Sequence, residues 1–160
     1  MIHPGERAPD FELPDRDGRA VRLSDHAGNT VVLYFYPKAD TPGCTTQACG
    51  IRDRGDDYEA AGAVVLGISP DEPAALRKFA DKYDLPFTLL GDANHEVAER
   101  YGTWVEKTMY GKKRWGVQRA TFIIEPDGTV AHVIPKVSPK THDDEVLKLL
   151  GQVDVTAGRE

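Results

Sequence analysis

The sequence predicts an α/β fold in which a mixed central sheet is covered by helices on both faces. Three observations lead there. Apolar runs of strand length alternate along the chain with stretches of helix length, the order that α/β domains show. The run Val31 to Tyr36 is β-branched and aromatic without polar alternation, as a strand buried on both faces is, and Ala63 to Ser69 is a second apolar run. Nearer the C-terminal end, two further strand-like runs flank the turn Glu125-Pro126-Asp127-Gly128, which adds an antiparallel hairpin. Periodicity alone leaves the strand order open.

The elements follow in order. Ala8 to Leu23 holds Phe11 and Leu13, the turn signal Asp15-Arg16-Asp17-Gly18, then Val21 and Leu23, and reads as a hairpin-like N-terminal addition. Val31 to Tyr36 is the first core strand, and Pro37 ends it. Pro42 suits a first helical turn, and Gln47 through Ala60, free of Pro and rich in alanine and paired charges, continues as helix. Ala63 to Ser69 is the second core strand, Pro73 to Tyr83 a helix, Phe87 to Leu90 a short strand and Asn94 to Tyr101 a third helix. Ala120 to Ile124 and Thr129 to Ile134 make the hairpin, and Asp143 to Leu150 a closing helix.

Composition narrows the function. With 160 residues, 40% of them hydrophobic and 29% charged, the chain is expected to form one domain over residues 1–160. A net charge of -6 argues against a nucleic-acid partner, which requires a concentrated basic face. The one small basic cluster, Lys112-Lys113-Arg114 in the stretch bounded by Gly111 and Gly116, reads as a solvated loop tip or as a docking spot for an acidic partner. The nearby Trp104, Tyr110 and Trp115 read as one core aromatic and two surface ones, or as part of such a docking face. Met1-Ile2-His3-Pro4-Gly5-Glu6-Arg7 carries no apolar segment of the signal or anchor kind, so a cytoplasmic protein with no membrane association is expected. His3, His26, His95, His132 and His142 are scattered without ligand spacing, so no metal is expected. Neither Gly-x-Gly-x-x-Gly nor a P-loop occurs, and no cofactor is expected. Asp71-Glu72 ahead of Pro73 reads as helix capping.

Two cysteines are too few for a secreted disulfide framework or for a structural zinc site by themselves. They stand in Thr41-Pro42-Gly43-Cys44-Thr45-Thr46-Gln47-Ala48-Cys49, after a buried strand and at the start of a helix. Free N–H groups and the positive end of a helix dipole favour thiolate over thiol, and thiolate is the nucleophile. Cys49 lies about 7.5 Å along an ideal helix axis and about 140° around it from Cys44, so a disulfide requires the backbone to rearrange. That suits a catalytic disulfide better than a structural one. The bland alternative is a pair of ordinary buried cysteines. Cys-x-x-Cys is absent, which disfavours a general thiol-disulfide oxidoreductase.

Pro37-Lys38-Ala39-Asp40-Thr41-Pro42-Gly43-Cys44 resembles the peroxiredoxin pattern Pro-x-x-x-Thr-x-x-Cys, and the string continuing through Cys49-Gly50-Ile51-Arg52-Asp53 is similar to the bacterioferritin comigratory protein, or peroxiredoxin Q, subfamily. Gly5-x-x-Ala8-Pro9-Asp10-Phe11, Gly67-Ile68-Ser69 and Gly116-Val117-Gln118-Arg119-Ala120-Thr121-Phe122 fall in the order such proteins have. The resemblance implies a thioredoxin-like fold and reduction of hydrogen peroxide and organic hydroperoxides through a Cys44 sulfenic acid. It further implies that Cys49 resolves that acid as an intramolecular disulfide, and that thioredoxin or another dithiol protein re-reduces it. By the same resemblance Thr41 supplies a hydroxyl to the peroxide, Pro37 shields the pocket with Gly43 beside it, and Arg119 is the active-site arginine. In general an arginine beside a thiol favours the thiolate and can stabilise the charge that develops as O–O breaks. Gln47, one helical turn beyond Cys44, either orients that arginine or is a solvated helix residue. A monomer is expected, since no second subunit has to supply a cysteine. A redox-sensing or holdase-like binding protein is the competing class.

Overall fold

In the computed structural model, which describes residues 1–157, an N-terminal hairpin of β1 (Glu12–Pro14) and β2 (Ala20–Arg22) precedes β3 (Thr30–Phe35). Helix α1 (Pro42–Asp53) follows, then α2 (Gly55–Ala60), β4 (Ala63–Ser69), α3 (Pro73–Tyr83), β5 (Thr88–Gly91) and α4 (Glu96–Tyr101). The chain continues through β6 (Trp104–Met109), β7 (Lys112–Val117), β8 (Ala120–Ile124), β9 (Val130–Ile134) and α5 (His142–Ala157). The central sheet has the order β5-β4-β3-β8-β9. Strand β3 pairs in parallel with β4 and antiparallel with β8, so the sheet is mixed.

Successive side chains of β3 point to opposite faces, and each face has its own core. Val31, Leu33 and Phe35 join Leu66, Ile68, Tyr101, Phe122 and Ile124 on one side. Val32, Tyr34 and Tyr36 join Cys44, Ala48, Ile51, Phe79 and Ile123 on the other. This explains the continuously apolar strand, and it puts α1 against the second face. The helix buries Cys44, Gln47, Ala48 and Ile51, a stripe at helical spacing. In β4, a Cβ on Gly67 would stand 2.9 Å from the Tyr34 ring, so glycine leaves the room that the ring fills.

Two expectations are corrected. The helix predicted to run unbroken through Ala60 divides at Arg54, whose ψ of 19° leaves the α-helical region just before Gly55. The stretch holding Lys112-Lys113-Arg114, read as a loop, is strand β7 paired with β6 across a turn at Tyr110 and Gly111, with φ of 53° and 76°. Lys112 to Trp115 are exposed and only the base of the arm, at Trp104 and Val117, meets the core, so hydrophobic periodicity does not reveal it. Trp104 packs at the edge of the core, whereas Tyr110 and Trp115 are exposed. Among the described residues no helix is long and apolar enough to cross a membrane.

Candidate active site

Cys44 is the third residue of α1, and it is 1% exposed. Pro42, at the first helical position, has no N–H to satisfy, and no side-chain cap covers this turn. The positive end of the helix is therefore directed at the residues that carry the thiol. Cys49, on the same unbroken helix, is half-buried, and both cysteines are free thiols. Thr41, the N-cap, accepts the Thr45 N–H at its carbonyl at 2.8 Å, while its hydroxyl donates to the Lys38 carbonyl at 2.8 Å.

The segment between β3 and α1 is held from several directions. The Ala39 N–H donates to Asp71 Oδ2 at 2.8 Å, and the Ser69 hydroxyl donates to the same oxygen at 2.7 Å. Asp71 thus pins this loop to the end of β4. The reading of Asp71-Glu72 as a cap is corrected, since Glu72 is the N-cap of α3 and makes no side-chain cap bond. Asp40, at φ 56°, accepts hydrogen bonds from the Tyr83 hydroxyl at 2.8 Å and from Lys82 Nζ at 3.0 Å. Those two bonds hold its carboxyl below the usual carboxylate range. Pro37 is half-buried where the chain leaves β3.

Arg119 enters from the residue before β8. Its guanidinium lies against the Cys44 turn, because a Cβ on Gly43 would stand 2.7 Å from Arg119 Nη2. Arg119 Nη1 donates to Gln47 Oε1 at 2.9 Å. Gln47 is 1% exposed, which overturns the reading of it as a solvated helix residue. Its other amide atom, Nε2, lies 3.2 Å from His142 Nδ1, and His142 Nε2 lies 2.7 Å from Thr121 Oγ1. Burial, with the Arg119 charge adding to it, pulls His142 down to about 4.

A second cation stands nearby. Lys107 of β6 donates from Nζ to the Val117 carbonyl, and burial followed by the Arg119 charge lowers its pKa, against an opposing pull from Cys44. His142, Thr121 and Lys107 were not selected from the sequence. His142 is 95 residues from Gln47 along the chain, and only the packing of α5 against α1 brings the two together.

The structure therefore gathers Thr41, Gly43, Cys44, Gln47 and Arg119 around one helix start, with Pro37 at the strand end leading into it. A cleft of about 400 Å³ lies at the opposite end of β3 and is lined by Arg7, Leu23, His26, Val31, Ile124 and Pro126. Neither cysteine lines it. Among the described residues no group of three or more His, Cys, Asp or Glu side chains is placed to hold a metal ion.

A strand-to-helix thiol facing an arginine, on a mixed sheet with helices on both faces, defines a thiol-dependent redox protein of the thioredoxin-like class. The AhpC/TSA family model matches residues 4–133. The chain belongs to this family and is a peroxiredoxin, a thiol peroxidase of the Bcp and peroxiredoxin Q type. It is 50% identical over 146 residues to peroxiredoxin Bcp of Escherichia coli (strain K12), covering 91% of this chain and 94% of that one. It is 44% identical over 149 residues to peroxiredoxin Bcp of Bacillus subtilis (strain 168), covering 93% and 95%. The solved bacterioferritin comigratory protein of Xanthomonas campestris, studied for alkyl peroxide reduction as trapped intermediate and ligand complexes, superposes with a TM-score of 0.87 at 32% identity, covering 96% of this chain and 98% of that one.

Proposed function

We propose that the chain reduces hydrogen peroxide and organic hydroperoxides by a two-cysteine cycle centred on Cys44. The observation that carries this reading is the position of Cys44 in the first turn of α1, with the Arg119 guanidinium packed on the adjacent Gly43. The Cys44 thiolate attacks the terminal peroxide oxygen, the O–O bond breaks, and the leaving alkoxide, or hydroxide in the case of hydrogen peroxide, takes up a proton and departs as alcohol or water. Arg119 stabilises the charge that develops on oxygen, and the Thr41 hydroxyl adds a donor once it turns from the Lys38 carbonyl. Pro37 and Gly43 shape the pocket, and Gln47 orients the arginine.

The Cys44 sulfenic acid is then attacked by the Cys49 thiolate, which forms the disulfide and releases water. A thioredoxin-type dithiol reduces that disulfide by exchange and is itself oxidised. The protein works as one domain, as a monomer and in the cytoplasm, where such donors are kept reduced. The test is peroxide consumption by purified protein with a thioredoxin system, using hydrogen peroxide, cumene hydroperoxide and tert-butyl hydroperoxide. Catalytic turnover that Cys44→Ser abolishes supports the cycle. Stoichiometric oxidation without turnover overturns it in favour of a redox sensor.

A further inference from the structure

His142, the first residue of α5, is fully buried, and both of its ring nitrogens are within hydrogen-bond distance of a partner. We propose that His142 is a positioning residue for peroxide reduction: as the neutral Nε2–H tautomer it fixes which end of the Gln47 amide faces Arg119, and so orients the guanidinium held against the Cys44 turn. The inference rests on the roles given above to Cys44 and Arg119.

The hydrogen-bond chemistry of the chain of groups has one self-consistent state. Arg119 can only donate, so Gln47 must turn its oxygen toward it, as the 2.9 Å contact from Nη1 to Oε1 requires. The Gln47 NH2 then faces His142 and can only donate, so Nδ1 must hold a lone pair. The single proton of a neutral imidazole is thereby assigned to Nε2, which donates to Thr121 Oγ1 at 2.7 Å. A protonated ring would set N–H against NH2. Relieving that clash would require flipping the amide, which would present NH2 to the guanidinium and break the bond that orients it.

The surroundings keep the ring neutral. Tyr34 of β3 lies beside it with ring centroids 5.7 Å apart, and burial raises the pKa of that phenol, so it brings no charge. The adjacent Asp143 is directed at Arg54, with Oδ2 3.5 Å from Nη1, and its backbone carbonyl accepts the Tyr58 hydroxyl of α2. From α1 and the start of β8 the ring meets Gln47 and feels the Arg119 charge. No carboxylate among the described residues is hydrogen-bonded to it.

The test combines 15N NMR of the imidazole with the rate of Cys44 sulfenic acid formation. The wild type is expected to show a neutral Nε2–H tautomer at pH 7. His142→Phe keeps a ring but deletes the acceptor, and should slow Cys44 oxidation tenfold to a hundredfold, on the order of the cost of an ångström-scale misplacement. His142→Asn, with Oδ1 where Nδ1 stood, should recover most of the rate. In Gln47→Glu the carboxylate accepts from both neighbours, so the His142 ring should appear protonated near neutral pH. An Nδ1–H tautomer in the wild type, or a folded His142→Phe oxidised at the wild-type rate, overturns the proposal. If His142→Phe does not fold, the tautomer and the Gln47→Glu spectrum decide. The NMR readouts need no peroxide chemistry, so a failure of the cycle itself would show instead as slow Cys44 oxidation in the wild type.

Discussion

A methyl group on Gly43 would stand 2.7 Å from Arg119 Nη2, closer than real contacts allow, although the backbone there is ordinary helix. Gly43→Ala is therefore expected to keep or slightly raise stability, by up to about 1 kcal/mol, because alanine is the better helix former. It should also displace the guanidinium and slow Cys44 oxidation by tenfold to a hundredfold on the order-of-magnitude scale of a misplaced catalytic group. Stopped-flow rates and denaturant melts on the same protein check both halves. His142 gives a pH signature. Its pKa falls from an ordinary value of 6.5 to about 4 on folding, so below pH 6.5 the unfolded chain binds a proton that the folded chain refuses. Its contribution is complete above pH 6.5, declines as pH falls toward 4 by about 3 kcal/mol, and changes no further below that. Melts of wild type and His142→Phe across that window should show the difference. At this scale Cys44 and Thr41 were legible because they stand in a motif of fixed spacing, and Arg119 only through the resemblance of the stretch Gly116 to Phe122 to the family. His142 and Lys107 were not, because their relevance arises only where α5 and the β6–β7 arm reach the site.

Helix α1 has to meet opposed requirements. Its first turn presents Cys44, and its buried stripe of Cys44, Gln47, Ala48 and Ile51 is packed against Tyr34 and Tyr36. A bond between Cys44 and Cys49 cannot form while the helix between them is intact. Oxidation should therefore unwind the helix locally, and with it the bonds from Gln47 to Arg119 and His142. Hydrogen exchange across Thr45 to Arg54 is expected to be slow in the reduced protein and markedly faster in the oxidised one, and equal protection would mean that the disulfide forms without unwinding. Ile51, 2% exposed, anchors the third turn, so Ile51→Ala should cost about 2–5 kcal/mol of stability in the reduced protein. The helix itself was legible from its Pro-started, Pro-free pattern. Its division at Arg54 was not, because Gly55 is tolerated inside helical patterns and only backbone angles reveal the break. The β6–β7 arm was missed because its defining feature is a positive-φ turn and not a hydrophobic face.

The molecule as a whole places its chemistry at one end of the sheet, where β3 ends, β8 begins and α1 and α5 meet. The alternation of apolar runs predicted that mixed sheet, but the antiparallel insertion of β8 beside β3 follows from pairing across the whole chain and has no local sequence signal. With both cysteines on one helix, a second subunit has nothing to add to the cycle, and sedimentation should give a monomer in both redox states. The central claim, that Cys44 takes the oxygen and Cys49 resolves it, is tested most directly by intact-mass and peptide analysis after one equivalent of hydrogen peroxide. The wild type should lose two hydrogens and yield a Cys44–Cys49 linked peptide, Cys49→Ser should gain one oxygen on Cys44, and Cys44→Ser should remain unchanged. Oxidation of a folded Cys44→Ser protein at the wild-type rate, or a wild type that gains oxygen and never forms the linked peptide, would contradict it.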